Sequence, residues 1–137
     1  MVKPTHKIYF PSVIENLKGN VRHFIKRQDI SKKSFGEIYF SEIRVGQIKA
    51  WKCHTKITSH LCVLLGEVKF VIYSDDQKIT ELFLSSQRNC RLMIYPNTWY
   101  GFSNIGNSDA VIVSYIDKEH DPKEQLSMDI KGINYDW

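Results

Sequence analysis

Helical periodicity is almost absent from this chain, while short runs rich in Ile, Val, Tyr and Phe recur along its length. That pattern restricts the open folds more than any other feature. Ten runs are predicted as strands, over 7–10, 20–25, 36–45, 47–54, 60–66, 67–74, 79–84, 91–95, 100–104 and 110–117. β-Branched and aromatic residues suit a pleated, half-buried surface. Turn chemistry separates the runs, as at Val45-Gly46, Gly66-Glu67, Pro96-Asn97 and Gly106-Asn107-Ser108-Asp109. Short strands at intervals of about 8–12 residues predict an all-β antiparallel sandwich or barrel. One helix is expected over 122–128, with Asp121 as its N-cap and Pro122 at its first position.

The 137 residues are enough for one domain with its own core. With 42% hydrophobic and 25% charged residues, a disordered or collagen-like chain is excluded. We expect a single domain over 1–137: an N-terminal arm (1–34), a barrel core (35–120) and a C-terminal segment (121–137) that docks on the barrel. No apolar run approaches the roughly 20 residues of a membrane helix. The run 61–73 is broken by Glu67 and Lys69, and Lys3, His6 and Lys7 interrupt any signal-like start, so a cytoplasmic protein without a membrane partner is expected. Cys53, Cys62 and Cys90 form no C-x-x-C pair and read as free thiols. The net charge is +4, and residues 1–33 hold eight Lys/Arg against Glu15 and Asp29. These cations are scattered and accompany no nucleic-acid motif, so a nucleic-acid partner is not expected.

Two stretches carry a resemblance. "GQIKAWKCHTKITSHLCVLLG", from Gly46 to Gly66, resembles the first cupin motif, a glycine followed by His-x-His, a glutamate and a second glycine. Lys52 stands at the first histidine, His54 at the second and Ser59 at the glutamate. "YPNTWYGFSN" resembles the second cupin motif, with Asn97 at its glycine, Tyr100 at its histidine and Asn104 at its asparagine. The resemblance implies a cupin-type jelly-roll barrel. Metal-binding cupins use three His and one Glu; of these four ligands only His54 is present, so no metal and no other cofactor is expected.

The run "IYPNTWYGFSNIGNSDAVIVSYIDKEHDPKE…INYDW" is similar to the dTDP-4-dehydrorhamnose 3,5-epimerase family, in particular its short-chain branch, over roughly residues 35–137. It includes a Pro-x-Glu segment and a Trp ending typical of that group. The resemblance implies a nucleotide-diphosphate sugar as substrate, a homodimer with exchanged N-terminal strands, and a place in deoxysugar, lipopolysaccharide or O-antigen synthesis. In these epimerases a histidine aligned with Lys52 acts as base and a tyrosine aligned with Ser114 acts as acid. Both residue types are missing here, which points to epimerisation at one centre, C3 of a 4-keto-6-deoxyhexose. A 3,5-epimerase, a 3,4-ketoisomerase and a non-catalytic sugar-binding cupin are the alternatives.

Inverting a carbon beside a ketone requires a base on one face, a donor on the other, and charge or hydrogen bonds at the enolate oxygen. Residues two apart in a strand share a face, so Lys52 and His54 point one way while Trp51 and Cys53 point the other. His54 suits the base, with an ordinary pKa of about 6.5. Tyr100 suits the donor, and Lys52 either steadies the enolate or is itself the base. Ser59, Glu37, Tyr39, Ser114 and His60 are expected to bind substrate, although alternation from Ser59 would turn His60 away. Arg27, Arg44, Lys69 and Arg91 are candidate diphosphate contacts. His6, His23 and His120 read as surface residues.

Overall fold

In the computed structural model, which describes residues 3–30 and 35–137, the apolar runs form twelve strands among the described residues. These are β1 (His6–Tyr9), β2 (Val13–Ile14), β3 (Val21–Arg22), β4 (Glu37–Ile43), β5 (Ile48–His54), β6 (Ser59–Leu65), β7 (Glu67–Tyr73), β8 (Ile79–Ser85), β9 (Arg91–Ile94), β10 (Thr98–Asn104), β11 (Ala110–Ile116) and β12 (Gln125–Ser127). Two five-stranded sheets arise, in the orders β1-β9-β6-β11-β4 and β12-β5-β10-β7-β8, and every pairing is antiparallel. The result is the all-β jelly roll expected from the cupin motifs. β2 and β3 form a separate hairpin. Among the described residues no helix is long and apolar enough to cross a membrane.

Alternation along each strand decides what enters the space between the sheets. Val68, Phe70 and Ile72 of β7 and Phe102 of β10 meet Leu61 of β6 and Leu92 of β9 there, all buried. The opposite face of the second sheet is covered by the C-terminal segment. Trp51 is 1% exposed against Ile133, Tyr135 and Trp137, and its indole N–H donates to the Ile130 carbonyl at 3.0 Å.

The motif positions with no chemistry of their own are turn and clamp residues. Gly66 adopts φ +90°, and a Cβ there would lie 2.9 Å from that of Ala110. Asn97, at a family glycine position, also has positive φ, 62°, which asparagine tolerates better than most residues. Asn104 donates to the carbonyls of Ile43 and Ser108, both at 2.9 Å, and accepts from the Gly106 amide, pinning the turn into β11.

The helix expected over 122–128 is absent. Asp121 does accept from the Lys123 amide at 3.0 Å, but this closes only a turn. The chain then extends as β12, pairing Gln125 with His54, Leu126 with Cys53 and Ser127 with Lys52. Reciprocal bonds between Trp51 and Met128, each 3.0 Å, continue the ladder. The edge of β5 offers unpaired backbone groups, and satisfying them outweighs a weak local helix signal. The run over 20–25 likewise narrows to β3, and the Val13–Ile14 partner strand had no clear sequence signal.

Candidate active site

The open end of the barrel gathers side chains from both sheets. In β5, Lys52 and His54 lie on the inner face, their cross-strand partners being Tyr100 and Thr98 of β10. A register shift follows: Phe102 pairs with Lys49, so one extra residue of β5 is accommodated opposite Gly101. Simple alternation would turn Lys49 outward. The bulge instead brings it to the same cleft as Lys52, alongside Ser41 and Phe102. Gly101 is required at this point, because a Cβ there would meet Ala50 Cβ at 2.6 Å.

His54 is 3% exposed and its Nδ1 lies 2.7 Å from Glu124 Oε1. Glu124 Oε2 accepts from the amides of Lys56 (2.8 Å) and Ile57 (3.1 Å). Burial alone would raise the Glu124 pKa; the Lys56 amide, the His54 hydrogen bond and charge, and the Ile57 amide outweigh it, and the carboxyl sits below its usual value. It is therefore an acceptor at neutral pH, and Nδ1 must be the protonated nitrogen. For His54 burial lowers the pKa, the Glu124 bond and charge oppose it, and Lys52 and His120 add to the lowering. The imidazole is neutral at pH 7 with its Nε2 lone pair available. Nε2 is buried and has no hydrogen-bond partner among the described residues.

Ser59 of β6, Ser114 of β11 and Tyr100 of β10 also bring buried oxygens here, none with a well-formed hydrogen bond among the described residues. Burial pushes the Tyr100 phenol far up, and the neighbouring Ser59 hydroxyl tempers the rise. Lys52 Nζ lies 5.4 Å from the centre of the Tyr100 ring, placing a cation over its face. On β4, Glu37 and Tyr39 line a cleft of 310 Å³ with Lys52, His120 and Gln125. Lys52 also borders the adjoining cleft of 340 Å³ that holds Lys49. Both volumes fit small-molecule sites, which begin at about 300 Å³.

Seven of the eight expected site residues thus come together: Lys52, His54, Tyr100, Ser59, Glu37, Tyr39 and Ser114. His60 does not, and its assignment to substrate is corrected. It pairs with Tyr115 and Met93 on the outer face of the first sheet, ring against the Tyr115 ring at 5.9 Å. Burial and, next, Arg91 lower its pKa to about 4. The folded state therefore holds fewer protons than the unfolded chain between that value and about 6.5. Stability is full above this window and falls as pH drops through it. Between about pH 7 and about pH 4.5 the loss from His60 is about 2–3 kcal/mol. Urea unfolding should show that loss shrinking by the same amount in His60→Gln; an unchanged slope would show that His60 is not held neutral.

Three residues escaped the sequence reading: Lys49, whose facing depends on the bulge, Glu124 and His120. Glu124 lay inside the quoted Pro-x-Glu run, but its partnership with a residue 70 positions away has no local signature. His120, expected at the surface, is exposed yet lines the Tyr39 cleft, and its amide donates to Glu37 Oε1 at 2.9 Å. The four candidate diphosphate cations lie elsewhere. Lys69 sits over the rings of Tyr135 and Trp137 at 5.1 and 5.3 Å. Arg91 donates to the Phe24 carbonyl at 2.8 Å and pairs with Asp29 at 3.4 Å, Arg27 is exposed in a 3-10 turn, and Arg44 is exposed between β4 and β5. The cupin metal positions carry an ammonium, one imidazole, a hydroxyl and a phenol, a donor set that does not fit a divalent metal.

No protein-family model and no curated protein matches the sequence. Solved structures do. A dTDP sugar isomerase from Desulfovibrio desulfuricans superposes with a TM-score of 0.87 at 28% identity, covering 96% of this chain and 90% of that one. QdtA, a sugar 3,4-ketoisomerase from Thermoanaerobacterium thermosaccharolyticum solved with TDP, gives 0.78 at 15% identity over 89% of this chain and 87% of that one. ChmJ, a 3'-monoepimerase from Streptomyces bikiniensis solved with dTDP-quinovose, gives 0.82 at 10% identity over 92% and 70%. By fold the chain stands with the cupins of the dTDP-sugar isomerases and epimerases.

Proposed function

We propose that this chain is a nucleotide-sugar isomerase, specifically an epimerase that inverts C3 of a nucleotide-linked 4-keto-6-deoxyhexose. The observation that carries the reading is the buried His54–Glu124 pair, with an unpartnered Nε2 on the inner face of the barrel. A neutral imidazole whose far nitrogen is fixed by a carboxylate can accept a proton from carbon. The C4 ketone makes that proton acidic, because the electron pair left behind delocalises to oxygen. The Lys52 ammonium at the same inner face can stabilise the developing enolate. Lys49 and Lys52, which border one cleft, suit the diphosphate, and the Glu37–Tyr39 cleft suits the hexose. The ligands of the structural neighbours, TDP and dTDP-quinovose, support a thymidine nucleotide as the first to test. The product would feed cell-surface polysaccharide synthesis.

The reading extends to a homodimer. Ile38 and Phe40 of β4 and Leu64 of β6 are exposed on the outer side of the first sheet, Phe40 at 67%. Sedimentation velocity should find two chains per particle; a monomer at micromolar concentration would remove this part.

The activity is tested by NMR and mass spectrometry in deuterated water, with 4-keto-6-deoxyglucose linked to thymidine, cytidine, guanosine or uridine diphosphate. One deuteron at C3 in an inverted product is expected. Deuterium at both C3 and C5 would mean a 3,5-epimerase, and a ketone moved to C3 would mean a ketoisomerase. No exchange with any nucleotide, by folded protein, would leave a sugar-binding cupin.

A further inference from the structure

We infer that the aromatic cluster on the outside of the second sheet, closed by Tyr135 and Trp137, positions the His54–Glu124 pair, with Lys69 as its latch. The inference rests on the proposed epimerase activity for its catalytic consequence, but the hydrogen bond it concerns can be read without substrate.

Glu124 reaches His54 only because the chain returns along β5, and the returning strand is weakly held by itself. β12 is three residues long, lies at the edge of its sheet and pairs with β5 alone. Its one apolar side chain, Leu126, is 48% exposed, so the strand buries little that would keep it in place. A short edge strand of this kind opens readily unless the chain beyond it is anchored.

The anchor follows directly. Met128 exchanges backbone bonds with Trp51, and Asp129 caps the next 3-10 turn by accepting from the Lys131 amide at 2.9 Å. Ile133 is then buried against Trp51 and Val71. The rings of Trp137 and Tyr135 close over Trp51, with centroids 5.1 and 6.2 Å away, and stand 5.0 Å from each other. Lys69 of β7 adds a polar fastening. Its Nζ lies over both outer rings and 3.8 Å from Glu81 Oε2, and that oxygen also accepts from the Tyr135 hydroxyl at 2.7 Å. The Lys69 side chain is only 12% exposed, and desolvation strengthens its contact with the rings.

Position along β5 links this cluster to the chemistry. Trp51 adjoins Lys52 and stands three residues from His54; its side chain faces the cluster while theirs face the barrel interior. The strand is thus gripped from outside beside the residues that act inside. β12 in turn is held at two points, the Glu124 carboxylate at one end and the Trp51 contact at the other. Loss of the second lets the strand lift from β5, Glu124 leaves with it, and Nδ1 loses the acceptor that fixes its tautomer. A displacement of about 1 Å at a reacting group costs about 10²-fold in rate.

A cluster that only added stability would act no differently from any core residue, and this separates the two roles. Trp137→Ala opens the cluster, and Leu84→Ala, in the core beside Val68, is the control. NMR of the full chain, labelled in its histidines, reads exchange of the His54 Nδ1 proton with water. Each protein is compared equally far below its own unfolding midpoint. Exchange should be about tenfold faster in Trp137→Ala than in Leu84→Ala, as for a local opening, and Trp137→Phe should restore protection. Lys69→Met keeps the rings and removes the cation; it should shift exchange the same way by less, and it carries the test if Trp137→Ala does not fold. Deuterium uptake at C3, with the substrate that the wild type inverts, should fall by about 10²-fold in Trp137→Ala. Nδ1 exchange no faster in Trp137→Ala than in Leu84→Ala overturns the positioning role, and an unchanged Lys69→Met overturns the latch. Absence of C3 uptake by the wild type with every nucleotide is a different failure: it removes the epimerase reading, while the Nδ1 comparison stands or falls by itself.

Discussion

Replacing His54 with Gln should slow proton exchange at C3 by about 10³-fold, within the range for loss of a positioned general base. The substitution is chosen so that the fold survives. A Gln side chain is short enough for this site and its amide N–H₂ can donate to Glu124, so the buried carboxylate keeps a partner in place of the 2.7 Å bond from Nδ1. What it lacks is a basic nitrogen with an available lone pair. Deuterium uptake at C3, followed by NMR alongside thermal unfolding, gives the measurement. A large loss with an unmoved unfolding midpoint assigns the base to His54. Uptake within about tenfold of wild type would move the role to Lys52, the one alternative base that the sequence left open. The geometry favours His54, whose Nε2 is buried and without a partner among the described residues, while Lys52 Nζ lies over the Tyr100 ring at 5.4 Å.

How much of this site could be read from the chain depends on whether each feature is local. The shared face of Lys52 and His54 follows from a period of two, and the sheet pairing keeps it because it spans only two residues. Lys49 breaks the same rule, since its facing depends on a bulge made by the register between β5 and β10. The 122–128 segment was misread for a related reason. Its capping and proline signals are local, but the free edge of β5 decides its conformation. Glu124 was missed because a carboxylate following a turn is ordinarily solvated; only the return of the chain beneath His54 buries it. The two phenols illustrate the limit most directly. Tyr100 was marked by its motif position and Tyr39 by alternation alone, and sequence spacing could not say which wall of the barrel each belongs to. The jelly roll itself was legible because ten apolar runs, most of them bounded within two residues, leave few other ways to bury both sheets.

Glu124→Gln should reduce turnover by about 10²–10⁴-fold, more than the loss of one hydrogen bond would suggest, because it reverses the histidine's tautomer. The amides of Lys56 and Ile57 both point at Oε2 and need an acceptor there. A Gln side chain satisfies them only by placing its oxygen at that position, which turns its N–H₂ toward His54. Nδ1 must then accept, its proton moves to Nε2, and the nitrogen facing the substrate has no lone pair to offer. The pH dependence follows with a definite sign. In the wild type His54 has a lowered pKa, so the acid limb of the rate profile lies below about pH 6.5, and activity falls as pH drops through it. Glu124 is the group that holds this pKa up against burial, Lys52 and His120. Without its charge the acid limb moves to still lower pH. Raising the pH cannot recover the rate, because the neutral imidazole itself carries its proton on the wrong nitrogen. Glu124→Asp keeps the charge, so it should retain the acid limb closer to its wild-type position even if the shorter side chain slows turnover. A Glu124→Gln rate within threefold of wild type, with an unmoved acid limb, would mean that the carboxylate only supports the loop and that His54 needs no orienting partner.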